Sequence, residues 1–128
     1  MKTLVLMLAL SMTFLGACAQ QKSPEQLSPS QFKTLAQKEK GVVVDVRTPE
    51  EFAAGHLQAA LLSDFRGGQF AKDFAGWDKD KTYYLYCASG NRSGQAAKLM
   101  LDAGFTKVYN VGAFNQLKEG GLPVEDKK

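Results

Sequence analysis

Residues 83–95 read Tyr83-Tyr84-Leu85-Tyr86-Cys87-Ala88-Ser89-Gly90-Asn91-Arg92-Ser93-Gly94-Gln95. The aromatic and apolar run that opens this segment is typical of a buried β-strand. The strand ends at Cys87, small and polar residues follow, and a helical pattern begins near Ser93. The sequence therefore predicts a thiol at the carboxyl end of a strand, where a short loop leads into a helix.

This placement predicts a reactive thiol. Free N–H groups of a short loop can converge on an anion, and a helix N-terminus adds positive potential. Both effects favour thiolate, and cysteine pKa values in such settings fall to about 3.5–7.5. Arg92 adds a fixed cation suited to an oxyanion. The alternative is a buried, inert cysteine, and the Gly, Arg and Ser that follow Cys87 argue against it.

Three motifs carry a family resemblance. Residues 87–93, Cys-Ala-Ser-Gly-Asn-Arg-Ser, resemble the Cys-x-x-Gly-x-Arg-Ser active-site loop of rhodanese-type sulfurtransferases. Residues 43–57 resemble the Asp-x-Arg…Glu-Phe-x-x-Gly-His signature of that family, and residues 121–124, Gly-Leu-Pro-Val, resemble its common ending. The resemblance covers residues 27–124, and its three motifs occur in the family's order.

The alternation of short apolar strands with helices predicts an α/β fold with a parallel sheet covered on both faces. The resemblance adds one rhodanese-like domain with a five-stranded parallel core. Caps and spacing predict a helix that starts at Pro29 after Ser28, and a helix over residues 49–54. The other expected elements are strands at residues 42–44, 61–62, 83–86 and 108–111, and helices near 69–75 and from 93.

The two ends of the chain differ in composition from this domain. Residues 1–18 have the short basic start and apolar core of a signal peptide. They end in Leu-Gly-Ala-Cys, which resembles a bacterial lipobox with Cys18 as the lipid-bearing residue. Ordinary signal cleavage and an uncleaved anchor are the alternatives. Residues 19–26 read as a polar tether or an ordinary disordered terminus, and residues 125–128 as a charged, frayed tail.

A lipobox predicts an exported, periplasmic protein that is tethered to a membrane by lipid. By resemblance to Gram-negative lipoproteins, Ala19 after the cysteine indicates the outer membrane if the source is Gram-negative. Ordinary cleavage predicts a soluble periplasmic protein instead.

Composition excludes several other functions. Cys18 and Cys87 are the only cysteines and His56 the only histidine, so the chain has no Cys-x-x-Cys redox centre and no ligand set for a structural zinc. Net charge is +3 with dispersed basic residues, which gives no footprint for nucleic acid. No metal or organic cofactor is expected, and no feature indicates an oligomeric state.

A structural rim is expected around the loop. Asp45 and Arg47 follow the strand at residues 42–44, at the sheet edge where such folds place their sites. A buried structural ion pair is favoured over a role in shaping the mouth of the site, and Glu50 and Glu51 are alternative candidates for a further partner. His56 follows a helix-ending glycine and is expected to bond the backbone, with general-base catalysis as the alternative. Arg66 is a candidate for the mouth of the site.

The resemblance implies a sulfurtransferase. A Cys87 thiolate would take sulfur from a small anionic donor such as thiosulfate and pass it, from a persulfide, to a thiol or to cyanide. The backbone N–H groups of residues 88–92 would hold the anionic sulfur. A sulfur carrier or redox sensor without turnover, or a delivery partner for a specific acceptor, are alternatives. Phosphatase chemistry is disfavoured because only four residues separate Cys87 from Arg92.

Overall fold

The computed structural model describes residues 23–126. The predicted signal peptide, Cys18, residues 19–22 of the predicted tether, and residues 127–128 lie outside the described part. The strands are β1 (Glu25–Gln26), β2 (Val42–Asp45), β3 (Gly55–Leu57), β4 (Leu61–Leu62), β5 (Tyr83–Cys87), β6 (Val108–Ala113) and β7 (Val124–Asp126). The helices are α1 (Pro29–Lys38), α2 (Pro49–Ala54), α3 (Gln69–Asp73), α4 (Asn91–Asp102) and α5 (Phe114–Glu119), and a 3₁₀ turn over Phe74–Gly76 follows α3.

The central sheet confirms the predicted α/β fold. Its five strands lie in the order β1-β6-β5-β2-β4, and every neighbouring pair is parallel. The strand that ends in Cys87, β5, occupies the centre of this sheet. The carboxyl ends of β2 and β5 lie side by side, because Asp45 is in register with Tyr86. A second, two-stranded sheet pairs β3 with β7 in antiparallel orientation.

The residues of β5 alternate between two cores. Tyr83, Leu85 and Cys87 face the core that includes Phe70 of α3 and Met100 of α4. The two intervening tyrosines, Tyr84 and Tyr86, face the second core. Its other buried members come from α1, β3, β6 and α5: Phe32, Leu57, Val111 and Leu117. All five residues of β5 are buried. Helices therefore cover both faces of the sheet, and the strand that carries the thiol is held from both sides.

Local signals placed two helices correctly. Ser28 caps α1, and its side chain accepts a hydrogen bond from the backbone N–H of Gln31. Thr48 caps α2 in the same way through Glu51, and the helix closes at Gly55 as expected. A side-chain acceptor at this position satisfies an N–H group that has no partner within the helix, and it contributes about 1 kcal/mol.

Three boundaries differ from the expectation. Glu25 and Gln26, assigned to the tether, form β1 and pair with β6. Glu125 and Asp126, assigned to the tail, belong to β7 and pair with β3. Both strands are too short to show an alternating pattern in the sequence. Helix α4 begins at Asn91 and not at Ser93, because Gly90 serves as its cap.

The helices of residues 23–126 are all shorter or more polar than a segment that spans a bilayer.

Candidate active site

Cys87 is the last residue of β5, and three residues separate it from the start of α4. Gly90, the cap of α4, has φ +92°, a left-handed conformation that is costly for other residues. This conformation turns the chain sharply around the thiol. The side chain of Cys87 is fully buried. As predicted from the sequence, the sulfur lies at the carboxyl edge of the sheet beside a helix N-terminus.

Hydrogen-bond donors surround the sulfur. The backbone N–H of Gly90 donates to Cys87 Sγ at 3.0 Å, and Ser93 Oγ donates to it at 3.4 Å. Burial alone would raise the pKa of Cys87. The hydroxyl of Ser93 and the backbone N–H groups of Ser93, Ser89 and Gly90 outweigh that effect, and the pKa lies below its ordinary value. Because these groups donate to the sulfur, the cradle fits an anionic sulfur.

The other loop residues are open to solvent. Ala88, Ser89 and Asn91 are exposed, and the backbone N–H of Asn91 donates to Ser89 Oγ at 3.3 Å. Gln95, one turn further along α4, donates to Asn91 Oδ1 at 3.0 Å. The loop thus presents an accessible rim around a buried sulfur.

Arg92 is held by Glu51, a contact that the sequence did not reveal. The guanidinium makes two parallel hydrogen bonds to the carboxylate, at 2.8 and 3.0 Å, and the pair ties the start of α4 to α2. Hydrogen bonds from Arg92 lower the pKa of Glu51 to about 2, and Glu51 in turn raises the pKa of Arg92. Glu51, one of the two candidate further partners of Asp45 and Arg47, is bonded to Arg92 instead. The charge of Arg92 is already paired.

Asp45 and Arg47 form a buried ion pair, as the sequence predicts. Arg47 Nη2 lies 2.8 Å from Asp45 Oδ2, and it also donates to the carbonyl of Gly55 at 2.6 Å. Tyr86 donates its hydroxyl to the same carboxylate at 2.7 Å. Burial opposes the charge of Arg47, but Asp45 outweighs it and the pKa of Arg47 is raised. Phe114 stacks against the guanidinium at 4.3 Å.

Neither of the last two candidates, His56 and Arg66, is among the hydrogen-bond donors to the sulfur. His56 has Nδ1 2.8 Å from the carbonyl of Phe52 and Nε2 3.0 Å from Glu125 Oε2, and neither nitrogen contacts Cys87. The backbone bond matches the structural interpretation of this residue. Arg66 is exposed in the loop after β4.

Asn110 lies beside the Cys87 loop, and sequence reasoning did not find it. It lies on β6, is 2% exposed, and contacts Ser93 and Gly90. Read from the sequence, it was one polar residue within a predicted strand. Its burial on a strand next to the cysteine strand is the signal that only the structure supplies.

The fold and the site together define a class of protein: a single α/β domain that stabilises one cysteine thiolate at the edge of a parallel sheet. Such a site suits nucleophilic chemistry at sulfur without a separate general base.

Known proteins define the family. The profile of the rhodanese-like domain matches residues 28–119. Thiosulfate sulfurtransferase GlpE of Pseudomonas putida is 35% identical over 102 residues, which cover 79% of this chain and 90% of that protein. Thiosulfate sulfurtransferase PspE of Escherichia coli is 34% identical over 80 residues, which cover 62% of this chain and 74% of that protein.

Solved structures agree with that family. A rhodanese-like domain of Anabaena superposes with a TM-score of 0.69 at 21% identity and covers 82% of this chain and 80% of its own, which supports the fold. A rhodanese from E. coli, solved with anions, has a TM-score of 0.57 at 28% identity and covers 67% of this chain and 98% of its own. The chain belongs to the rhodanese-like family, and it is an enzyme of the thiosulfate sulfurtransferase type.

Proposed function

We propose that this enzyme moves the sulfane sulfur of a small anionic donor, such as thiosulfate, to a thiophilic acceptor through a persulfide on Cys87. The observation that carries the proposal is the set of donors that converges on Cys87 Sγ at the start of α4. These donors stabilise a thiolate, and the thiolate is the nucleophilic form of cysteine.

The reaction divides into two displacements. The Cys87 thiolate attacks the outer sulfur of thiosulfate, a new S–S bond forms, and the original S–S bond breaks as sulfite leaves with the electron pair. The acceptor then attacks the terminal sulfur of the persulfide. Cyanide becomes thiocyanate, a thiolate acceptor becomes a persulfide, and the Cys87 thiolate is regenerated. Neither step requires an external oxidant or a proton from a general acid.

The loop is suited to the negative charge that Cys87 Sγ carries as the nucleophile of the first step and as the leaving group of the second. The N–H of Gly90 and the hydroxyl of Ser93 lie where negative charge rests on sulfur. Donors that are fixed in advance stabilise such charge without reorganising during the reaction. Arg92 contributes mainly by fixing the loop, because Glu51 already neutralises its guanidinium. That pairing also disfavours phosphatase chemistry, in which the arginine would have to hold phosphate oxygens.

The proposal is tested by thiocyanate formation from thiosulfate and cyanide. The purified protein should turn over, and Cys87→Ser should reduce the rate to the uncatalysed level while its circular dichroism stays unchanged. Equal rates for the two proteins would overturn the proposal. A protein that takes up one sulfur but does not turn over with cyanide or thiols would instead be a carrier or a sensor.

We also propose that the domain is exported and lipid-anchored through Cys18. The Leu-Gly-Ala-Cys sequence at residues 15–18 supports this. The chain makes five residue steps from Cys18 to Ser23, which reach at most about 18 Å when extended. Ser23 and Pro24 line a cavity of about 460 Å³ that Gly90 and Asn91 also line. An anchored domain would therefore hold its active-site side near the bilayer.

The anchor is tested by cell fractionation. The protein should sediment with membranes, and Cys18→Ala should abolish that association. Recovery of the wild-type protein in the soluble periplasmic fraction would contradict the anchor and favour ordinary signal cleavage.

A further inference from the structure

The side chain of Asn110 makes three hydrogen bonds, and two of them reach the Cys87 loop. Its Oδ1 accepts from Ser93 Oγ at 2.8 Å and from the backbone N–H of Gly112 at 3.1 Å. Its Nδ2 donates to the carbonyl of Gly90 at 3.0 Å. Two of these partners, Ser93 and Gly90, are the same residues that donate to the sulfur.

The orientation of the amide is fixed by its surroundings. The N–H of Gly112 can only donate and the carbonyl of Gly90 can only accept, so a flipped amide would oppose both of them. The backbone packs closely at this point. A Cβ atom added at Gly94 would lie 3.2 Å from Asn110 Nδ2, which is tighter than ordinary contact. Gly94 thus lets α4 approach β6 closely enough for the amide to reach Ser93 and Gly90.

Ser93 faces two acceptors with a single proton. Its hydroxyl lies 2.8 Å from Asn110 Oδ1 and 3.4 Å from Cys87 Sγ, and one O–H cannot donate fully to both. A hydrogen bond to an ionised acceptor is the stronger one. The hydroxyl is therefore expected to turn toward the sulfur as negative charge accumulates there, and toward Asn110 when that charge is lost.

We infer that Asn110 is a positioning residue for sulfur transfer, which controls through Ser93 how strongly the Cys87 thiolate is stabilised. The Asn110 amide also donates to the carbonyl of Gly90, and this bond holds Gly90 in place while its own N–H donates to the sulfur. Asn110 does not touch the sulfur. The inference rests on the proposed function only in taking the Cys87 thiolate as the reacting group.

The test measures the rate of alkylation of Cys87 by iodoacetamide against pH in the full-length protein, with peptide mapping to count reaction at Cys87 alone. Asn110→Asp keeps the size of the side chain. Its carboxylate competes more strongly for the Ser93 hydroxyl and opposes the Gly90 carbonyl. The midpoint should move to higher pH, and the rate below that midpoint should fall roughly five- to tenfold, the equivalent of about one hydrogen bond.

A double-mutant cycle with Ser93→Ala separates this route from a direct effect of the new charge. We expect Asn110→Asp to shift the midpoint clearly less when Ser93 is absent. Asn110→Ser adds no charge and removes the acceptor that competes for the Ser93 hydroxyl. It enters the same cycle, and its shift of the midpoint should also be clearly smaller when Ser93 is absent, which keeps the test decisive if Asn110→Asp folds poorly. Asn115→Asp adds the same charge at an exposed site on α5 and should leave the midpoint unchanged.

Equal shifts with and without Ser93, or an unchanged midpoint alongside a lower melting temperature, would overturn the inference and leave Asn110 a purely structural residue. Alkylation needs no sulfur donor. The result is therefore distinct from a failure of the proposed sulfur transfer, which would appear as absent thiocyanate formation with normal alkylation.

Discussion

Two arginine–carboxylate pairs flank the active site, and they differ in what they join. Arg47 and Asp45 are two residues apart in the chain and lie inside the protein, with exposed fractions of 5% and 0%. Arg92 and Glu51 are 41 residues apart, and the Glu51 side chain is 31% exposed. The first pair stabilises the end of β2, whereas the second ties the Cys87 loop to α2. Similar chemistry thus serves stability in one place and loop geometry in the other.

The largest effect is expected from breaking the buried pair. Asp45→Asn leaves the guanidinium of Arg47 buried without a countercharge, and such changes cost about 3–5 kcal/mol. Urea denaturation should show this loss in the free energy of unfolding. The protein that remains folded should still form thiocyanate at a rate within about threefold of wild type, a change at the low end of what one hydrogen bond contributes. An unchanged unfolding free energy would contradict the scaffold role.

Breaking the second pair should affect activity more than stability. Glu51→Gln removes the charge that holds Arg92, and kcat/KM for thiosulfate should fall about tenfold, a cost within the range for one charge-assisted hydrogen bond. The matched control is Glu50→Gln, which alters the exposed neighbouring carboxylate and should leave kcat/KM unchanged. If both variants lost activity equally, a general effect of charge on α2 would explain the result.

The pH dependence of stability sharpens the same comparison. The pKa of Glu51 is lowered from its ordinary value of 4.5 to about 2 by Arg92. A carboxyl group with a lowered pKa stabilises the folded state fully above pH 4.5, and that stabilisation disappears as the pH falls toward about 2. The difference in unfolding free energy between wild type and Glu51→Gln should therefore shrink across this window. A constant difference would show that Arg92 does not lower the pKa of the Glu51 carboxyl group.

The smallest effect is expected at the surface. Lys98 and Asp102 form an exposed pair one turn apart on α4, at 3.0 Å. Pairs of this kind contribute about 0.3–0.5 kcal/mol because water and salt screen them. Asp102→Asn should change the unfolding free energy by no more than that, and added salt should abolish the difference. A larger effect would mean that differences in burial do not explain why the three ion pairs contribute differently to the free energy of unfolding.

The sequence predicted the parts of this molecule that depend on neighbouring residues. The apolar run of β5 placed Cys87 at a strand end, and Ser28 and Thr48 marked the starts of α1 and α2 correctly. Gly90 caps α4 without a side-chain hydrogen bond, so no capping side chain marks the start of this helix in the sequence. The helical pattern therefore predicts a start near Ser93, two residues after the observed start at Asn91.

Contacts between distant residues were not predictable in this way. The partner of Arg92 lies 41 residues earlier in the chain, and only the folded arrangement of α2 and α4 brings Glu51 to it. Asn110 shows the same limit, since its hydrogen bonds to Ser93 and Gly90 exist only because β6 packs beside β5 and α4. The short strands β1 and β7 are likewise defined by their partners and not by their own composition.

The central claim is that Cys87 carries the transferred sulfur, and intact mass spectrometry of a single turnover tests it most directly. The protein would be mixed with thiosulfate, measured, treated with cyanide and measured again, with Cys87→Ser in parallel. We predict a gain of one sulfur atom that cyanide removes and that Cys87→Ser does not show. A gain of sulfur in Cys87→Ser, or none in the wild-type protein while Cys87 still reacts with iodoacetamide, would contradict the claim.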